Sequence, residues 1–354
     1  MHNHLKQESD TVELIKIATF NLFNFIEPPG AYYDFENIYT QAQWQKKLAW
    51  VARYLNEHRP DVIGFQEVFS PDALATLTQA CGLDYFAVLD EPDLHDDFIY
   101  SKPVVAIASR YPINEVHSVE ADSQLAEMVG MPANFSFSRK PLRATVLIPK
   151  LGPCDCYVVH FKSKRPLFDA ETDYLSEKPQ VKLKTGQLLA VEALAQWGAS
   201  IVRGSEAALL RHAMVERRVQ TQYPMMLMGD FNDGLEGGVL TSLTSVDTRI
   251  KPDVFGDVAQ QLQEYQLQDS YELYQNSQYS LSSQQRPATY YHLATGSVLD
   301  YILLSCEFDT KNSRSLAEVG RYETYDRHLI NPSFELDSQS TDHAPVMITL
   351  SIRH

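Results

Sequence analysis

Residues 225–233 read Met-Met-Leu-Met-Gly-Asp-Phe-Asn-Asp, an apolar run that stops on a glycine and turns polar at once. Four apolar residues are too few for an independent helix, and Pro224 and Gly229 punctuate the run as a short buried strand. With side chains alternating along a strand, Asp230 and Asn232 are expected on one side and Phe231 in the core. A carboxylate beside an amide can hold a nucleophilic water and a phosphoryl oxygen together. The same residues could equally satisfy the backbone of a turn, so the rest of the chain has to decide.

Working outward, other apolar strands also end in polar residues. Residues 14–21 alternate and finish on Asn21, with Asn24 and then Pro28, Pro29 and Gly30 beyond, which reads as a strand entering a loop. Residues 62–68 form a strand with Gln66 and Glu67 at its tail, and residues 155–161 form one ending in His160. Residues 298–305 read as a buried strand interrupted by Asp300, a carboxylate that is costly to bury without a partner such as histidine. Asp342 and His343 precede the last strand, which runs through Ile352. Further strands are expected at 85–89, 104–109 and 142–148.

Helices are expected at 41–57, where Trp44, Leu48, Val51 and Leu55 recur at helical spacing, and at 71–80, with Ser70 as cap and Pro71 at the first position. A short helix is expected near Val239 and another at 257–265. A long helical region over 187–220 is expected to break near Gly198 and Gly204. From Lys162 to Arg218 there are ten Lys or Arg against seven Asp or Glu, either a solvated helix face or an anion-facing flap beside His160.

Composition bounds the function. Thirty Lys plus Arg against 46 Asp plus Glu give a net charge of −16, without the global basic field of a high-affinity duplex binder. Cys81, Cys154, Cys156 and Cys306 are too scattered for a disulfide framework, and the Cys154/Cys156 pair lacks a second pair at zinc-finger spacing. No apolar run spans a bilayer, and the first twelve residues are polar, so a soluble, cytoplasmic chain is expected. A length of 354 residues suggests about two domains, but no linker or repeat marks a boundary. We therefore expect one domain over 1–354, with an inserted polar loop and long helical region at about 163–222.

Taken together, these polar residues at strand ends suit a hard divalent cation, Mg²⁺ or Mn²⁺, that leaves room for waters and a phosphate. Their order and spacing resemble the endonuclease/exonuclease/phosphatase superfamily. The likeness runs from Thr19-Phe20-Asn21 through Gln66-Glu67, His160, Gly229-Asp230-Phe231-Asn232 and Leu299-Asp300-Tyr301 to Thr341-Asp342-His343, and the run from His160 to Arg165 with the helix after it resembles bacterial nuclease-like members. The resemblance implies an α/β fold of the deoxyribonuclease I type, a four-layer sandwich of two mixed sheets flanked by helices. It also implies metal-dependent phosphoester hydrolysis.

By motif, Glu67 is the expected main metal ligand, with Asn21 and Asp342 close to the ion or the phosphate. Asp230 positions or deprotonates the water, Asn232 holds a phosphoryl oxygen, and His343, oriented by Asp300, contacts the scissile phosphate. His160 stands where several branches protonate the leaving group. Basic residues often precede the middle strands of such proteins; here Arg139, Lys140 and Arg143 either play that part or shield a strand edge, and Arg143 and Lys162 are the candidate substrate-binding cations. Asn24 is left outside the ligand set because of its spacing from Asn21. Val158 stands where many members carry an Asn, and His160 where the abasic-site repair branch has Tyr. The expected activity is a Mg²⁺-dependent phosphodiesterase of nuclease type acting by in-line water attack, on a phosphoester that includes nucleic acid as one option, with no protein partner evident. The alternatives are a phosphatase or phosphodiesterase on a small phosphoester and a non-catalytic scaffold on the same fold.

Overall fold

The computed structural model describes residues 14–169, 184–236, 238–246, 258–280 and 285–353. The segment 170–183, which holds much of the expected inserted loop, lies outside the described residues, as does 247–257.

Two six-stranded mixed sheets form the centre of the molecule. The first runs Ala317–Thr324, Val346–Ile352, Leu14–Phe25, Val62–Val68, Val104–Ser109 and Tyr85–Val88. The second runs Gln268–Asp269, Asp300–Leu304, Met225–Asp230, Gly152–His160, Leu142–Ile148 and Ile113–Ser118. Each sheet has one parallel pair at its middle, Leu14–Phe25 with Val62–Val68 and Gly152–His160 with Met225–Asp230. Parallel neighbours end at the same sheet edge, so one edge collects the carboxyl-terminal residues of all four central strands.

Period-two alternation builds the layers. Met226 and Met228 point between the sheets, into a core shared with Ile15, Ile17, Val158 and Ile302. Met225 and Leu227 point outward, onto Leu210 and Met214 of the long helix Thr185–Thr221. On the far side, Trp44, Trp50, Tyr54 and Leu55 of the helix Gln41–His58 cover Phe20, Ile63 and Phe65. This is the expected helix-sheet-sheet-helix sandwich of the deoxyribonuclease I type. The sheets meet closely: a Cβ on Gly64 would stand 2.9 Å from Met228 Cγ.

Several local expectations need correction. The long helix is continuous over 37 residues. Its glycines admit neighbours instead of breaking it: a Cβ on Gly198 would lie 3.0 Å from Leu167 Cδ2, and one on Gly204 3.1 Å from Val239 Cβ. Ser70 stands at the cap of Pro71–Ala80, but its hydroxyl accepts the Glu27 N–H and makes no cap bond. Strands at Ile113–Ser118 and Ala317–Thr324 escape the sequence reading; the first has its residues only partly buried or exposed, so it lacks an apolar face to read. The basic residues at the end of the long helix are turned to carboxylates of the fold. Arg217 pairs with Asp155 and Glu115, and the buried Arg218 pairs with Glu307. Cys154 and Cys156 are buried, free core residues on one face of their strand.

Behind the site-bearing edge, His328 packs its ring on Trp50, with centroids 4.8 Å apart, and its Nε2–H donates to the His343 carbonyl at 3.0 Å. Burial pushes its pKa down from 6.5 to about 4. A base that binds its proton less readily folded than unfolded stabilises the fold fully above 6.5 and loses that contribution as pH falls toward 4. At about 1.4 kcal/mol per pH unit, roughly 3 kcal/mol should vanish over that window. Urea unfolding at pH 7.5 and 4.5 should show His328→Gln less stable than wild type at the higher pH and nearly level with it at the lower.

Candidate active site

The functional edge is shaped by backbone irregularities at the same level of both central strands of the first sheet. Register shifts occur between Asn21 and Phe25 and between Phe65 and Val68. Phe23, Asn24 and Glu67 take left-handed backbone, with φ of 51°, 54° and 59°. Non-glycine residues adopt that region at a cost of order 1 kcal/mol each, held by their surroundings. The result brings Asn24 against Glu67: the Asn24 N–H donates to Glu67 Oε2 at 2.9 Å. Sequence spacing, counted along a straight strand, leaves Asn24 out; the structure brings it in.

Asp230 is the hub of the second half. Gly229 precedes it at φ 150°, where a Cβ would lie 2.0 Å from the Val159 carbonyl oxygen, so only glycine lets the strand close on its neighbour. One oxygen, Asp230 Oδ2, accepts from Asn21 Nδ2 at 3.0 Å and lies 3.5 Å from His160 Nε2 and 3.8 Å from His343 Nε2. The other accepts the Asn232 N–H at 2.8 Å. Phe231 is fully buried against Phe161 and Tyr301, as expected. Asn232 turns into the cleft through left-handed backbone (φ 56°) and not through strand alternation, since the strand ends at Asp230. Its Nδ2 donates to the Phe161 carbonyl at 3.0 Å, leaving one N–H over.

Asp300 opens its strand and does not interrupt it. It pairs across the sheet with Asp230, and its Oδ2 accepts from His343 Nδ1 at 2.8 Å. The loop carrying His343 is fastened by Thr341, whose hydroxyl donates to the Asn21 carbonyl at 2.7 Å and accepts the His343 N–H at 3.1 Å. Tyr290 covers the imidazole, with ring centroids 5.0 Å apart.

The electrostatics separate the two histidines. Burial alone would lower His343, but the Asp300 and Asp230 carboxylates hold it well above the usual value, so it is an imidazolium at neutrality. His160 is pushed well below, by burial and then by Arg139 and His343, so it is neutral, with its Nδ1 buried and unpartnered. Burial, with Asp300 and Glu67 nearby, raises Asp230 to about 7. Burial, with Glu67 adding, raises Asp342 to about 6. Lys47 is a further residue the sequence reading missed. It is buried beside Asp342 and Glu67, and burial lowers it to about 8. Its position inside an apolar helix face at Gln41–His58 was the available signal.

Two groups here could be considered for a cation. Asp230, Asp300 and His343 offer ligand atoms within 4.8 Å of one another. The imidazolium of His343 already neutralises that cluster and, protonated, cannot ligate. The Glu67 side fits better: Asp342 Oδ1 and Asn24 Oδ1 are buried oxygens without a partner. Hard oxygen donors of this type suit a divalent cation. Asn21 belongs less directly to that set, because its Oδ1 accepts the Phe23 N–H at 3.0 Å and its Nδ2 is bound to Asp230.

Glu67, His160, Asp230, Asn232, Asp342 and His343 line one cleft of about 210 Å³. A larger cavity of about 710 Å³ adjoins it around Arg286, sharing Lys164 and Leu299, but the acids and imidazoles do not meet there. The structure does not bring Arg143 to the cleft. Its guanidinium is held on the outer sheet face by Asp155 at 3.3 Å and Glu115 at 3.4 Å. Lys162 is turned back as well, its ammonium donating to the carbonyls of Arg165 at 2.8 Å and Ser163 at 3.3 Å. The cations that do line the cleft are Arg139, Lys164 and Arg165.

Comparison with known proteins agrees with this arrangement. The sequence model of the Endonuclease/Exonuclease/phosphatase family matches residues 18–343. No curated protein matches the sequence at a significant level. Among solved structures, the fold is similar to the human Nocturnin catalytic domain with a bound sulfate anion, at 14% identity over 96% of this chain and 95% of that one, TM-score 0.54. It is similar to an endonuclease/exonuclease/phosphatase from Bacteroides vulgatus at 13% identity, covering 96% of this chain and 100% of that one, TM-score 0.53. A third similar structure, from Beutenbergia cavernae, shares 14% identity over 96% of this chain and 72% of that one, TM-score 0.51.

Proposed function

The chain belongs to the endonuclease/exonuclease/phosphatase family, whose members are phosphoester hydrolases, and from that premise we propose that it is a Mg²⁺-dependent phosphodiesterase of nuclease type, working as a single domain. The observation that carries the reading is the environment of one oxygen, Asp230 Oδ2, with Asn21, His160 and His343 around it. Asp230, raised toward neutrality, is suited to take a proton from an attacking water, since a base works best with its pKa near the operating pH. The His343 imidazolium faces the same point and stabilises negative charge developing on the phosphoryl group, with Asp300 keeping it charged and oriented. The spare N–H of Asn232 reaches a phosphoryl oxygen. His160 is neutral until an anion enters the cleft; opposite charge then favours its protonated form, from which it can serve a leaving oxygen.

Glu67, Asp342 and Asn24 would hold the cation, with Asn21 behind them through its bond to Asp230. When bound, Mg²⁺ or Mn²⁺ would supply charge stabilisation on the phosphoryl oxygens. A net charge of −16 disfavours broad duplex affinity, and the cleft cations Arg139, Lys164 and Arg165 concentrate what positive field there is at the site. No helix among the described residues is long and apolar enough to cross a membrane.

The test is an assay of single-stranded DNA, RNA, bis-p-nitrophenyl phosphate and p-nitrophenyl phosphate in Mg²⁺, Mn²⁺ or EDTA. Diester cleavage in Mg²⁺ that stops in EDTA is expected. Cleavage of the monoester with nucleic acid left uncut would replace the diesterase by a phosphatase, and inertness on all four would leave the scaffold.

A further inference from the structure

This inference rests on the phosphodiesterase reading and concerns what lies beside the reaction centre. Arg139 and Arg165 form no ion pair with any described residue, in a chain with 46 acidic side chains. Both converge on Tyr33. Arg165 lies over its ring, 5.5 Å from the centroid, and Arg139 lines the cleft beside it. All three line the cleft with His160 and His343. Two like charges sharing one tyrosine repel each other, so the loops that carry them need an anchor.

The anchor is a pair of charged residues buried in the long helix Thr185–Thr221. The Glu206 carboxylate, 1% exposed, accepts the N–H of Ser138 at 2.6 Å and of Lys162 at 2.7 Å. The Arg203 guanidinium, 2% exposed, donates to the Lys162 carbonyl at 3.0 Å and to Asp233 Oδ2 at 2.8 Å. Ser138 immediately precedes Arg139, and Lys162 begins the turn leading to Arg165. Buried charges are costly unless fully hydrogen-bonded; here they fix, on one rigid helix, the two loops that present guanidinium groups with no ion pair among the described residues. Loops so fastened give those groups the placement that a binding site needs and a merely solubilising charge does not.

We propose that Arg139 and Arg165, held by Glu206 and Arg203, form a second anion site that takes a phosphate neighbouring the scissile one along an oligonucleotide strand. Guanidinium groups bind phosphate through paired N–H donors, and an aromatic ring beside a cationic track is the combination that holds single strands.

The test is calorimetric titration in EDTA, where no turnover is expected, with thymidine dinucleotide carrying or lacking a 5′-phosphate. Wild type should bind the 5′-phosphorylated form about tenfold more tightly, the worth of one good charge-assisted contact. The Arg139→Gln/Arg165→Gln protein, altered only on the cleft rim, should bind the two forms within about twofold of each other. Glu206→Gln should keep part of the difference, because one amide oxygen still accepts a loop N–H. Equal affinities in wild type, no binding of either form, or an undiminished difference in the double variant would overturn the proposal. A binding difference without hydrolysis in any metal would sink the catalytic reading alone, and hydrolysis without the difference would sink this site alone.

Discussion

Asp230→Asn should lower diester turnover by about 10³-fold, the middle of the range for losing a positioned general base, with the fold intact. The substitution is nearly isosteric, and the asparagine oxygen can still accept from Asn21 or from the Asn232 backbone, so the cleft keeps its shape. What it removes is a buried carboxylate raised to about 7, the group that can take a proton near neutrality. Stability should not fall, because a buried acid held against its preference by burial and neighbouring carboxylates is relieved when it becomes a neutral amide. The expected pattern is a kcat effect with little change in KM, since an interaction made mainly in the transition state is lost. Steady-state kinetics on bis-p-nitrophenyl phosphate with a melting curve on the same sample decide it. Turnover within about tenfold of wild type would remove Asp230 from the proton transfer.

How much of this arrangement the sequence could disclose depended on whether geometry followed a simple period. The sandwich was legible because buried strands such as Met225–Asp230 are short apolar runs bounded by Pro and Gly, and the helix Gln41–His58 repeats its apolar residues at helical spacing. The convergence of Glu67, His160, Asp230 and His343 was legible because each ends or immediately precedes an apolar strand. Asn24 was not, because a bulge with left-handed residues breaks the count of two on which its exclusion rested. Arg143 was misplaced for the opposite reason. It obeys the alternation, and the alternation turns it to the outer face, where Asp155 and Glu115 wait; neither acid is near it in sequence. Glycines 198 and 204 were read as breakers because a sequence shows the missing side chain but not the neighbour that fills its place. Buried Glu206 and Arg203 gave no signal at all, since a charged residue in a helix is ordinarily solvated and nothing local shows that it is not.

His343→Ala should be as damaging as the loss of Asp230, about 10³-fold or more, because it removes a cation aimed at the phosphoryl group. Its partner makes the sharper experiment. Asp300 does not line the cleft; its one hydrogen bond to the site is the 2.8 Å bond to His343 Nδ1, and beyond that it acts only by its charge, which adds to the burial that raises Asp230. Asp300→Asn should therefore cost less, about 10²-fold, by releasing the ring and letting burial pull its pKa down. Because Asp300 acts through the imidazole, the His343→Ala/Asp300→Asn protein should be no slower than His343→Ala alone, a departure from additivity as large as the single Asp300 effect. Stability separates this from simple damage. His343→Ala leaves Asp300 buried with no cation, and stranding one member of a buried pair costs about 3–5 kcal/mol. Adding Asp300→Asn should restore much of that stability while restoring none of the activity. Urea unfolding and turnover measured on all four proteins would show it, and independent, additive losses of turnover would mean that Asp300 serves the reaction by a route other than orienting and charging His343.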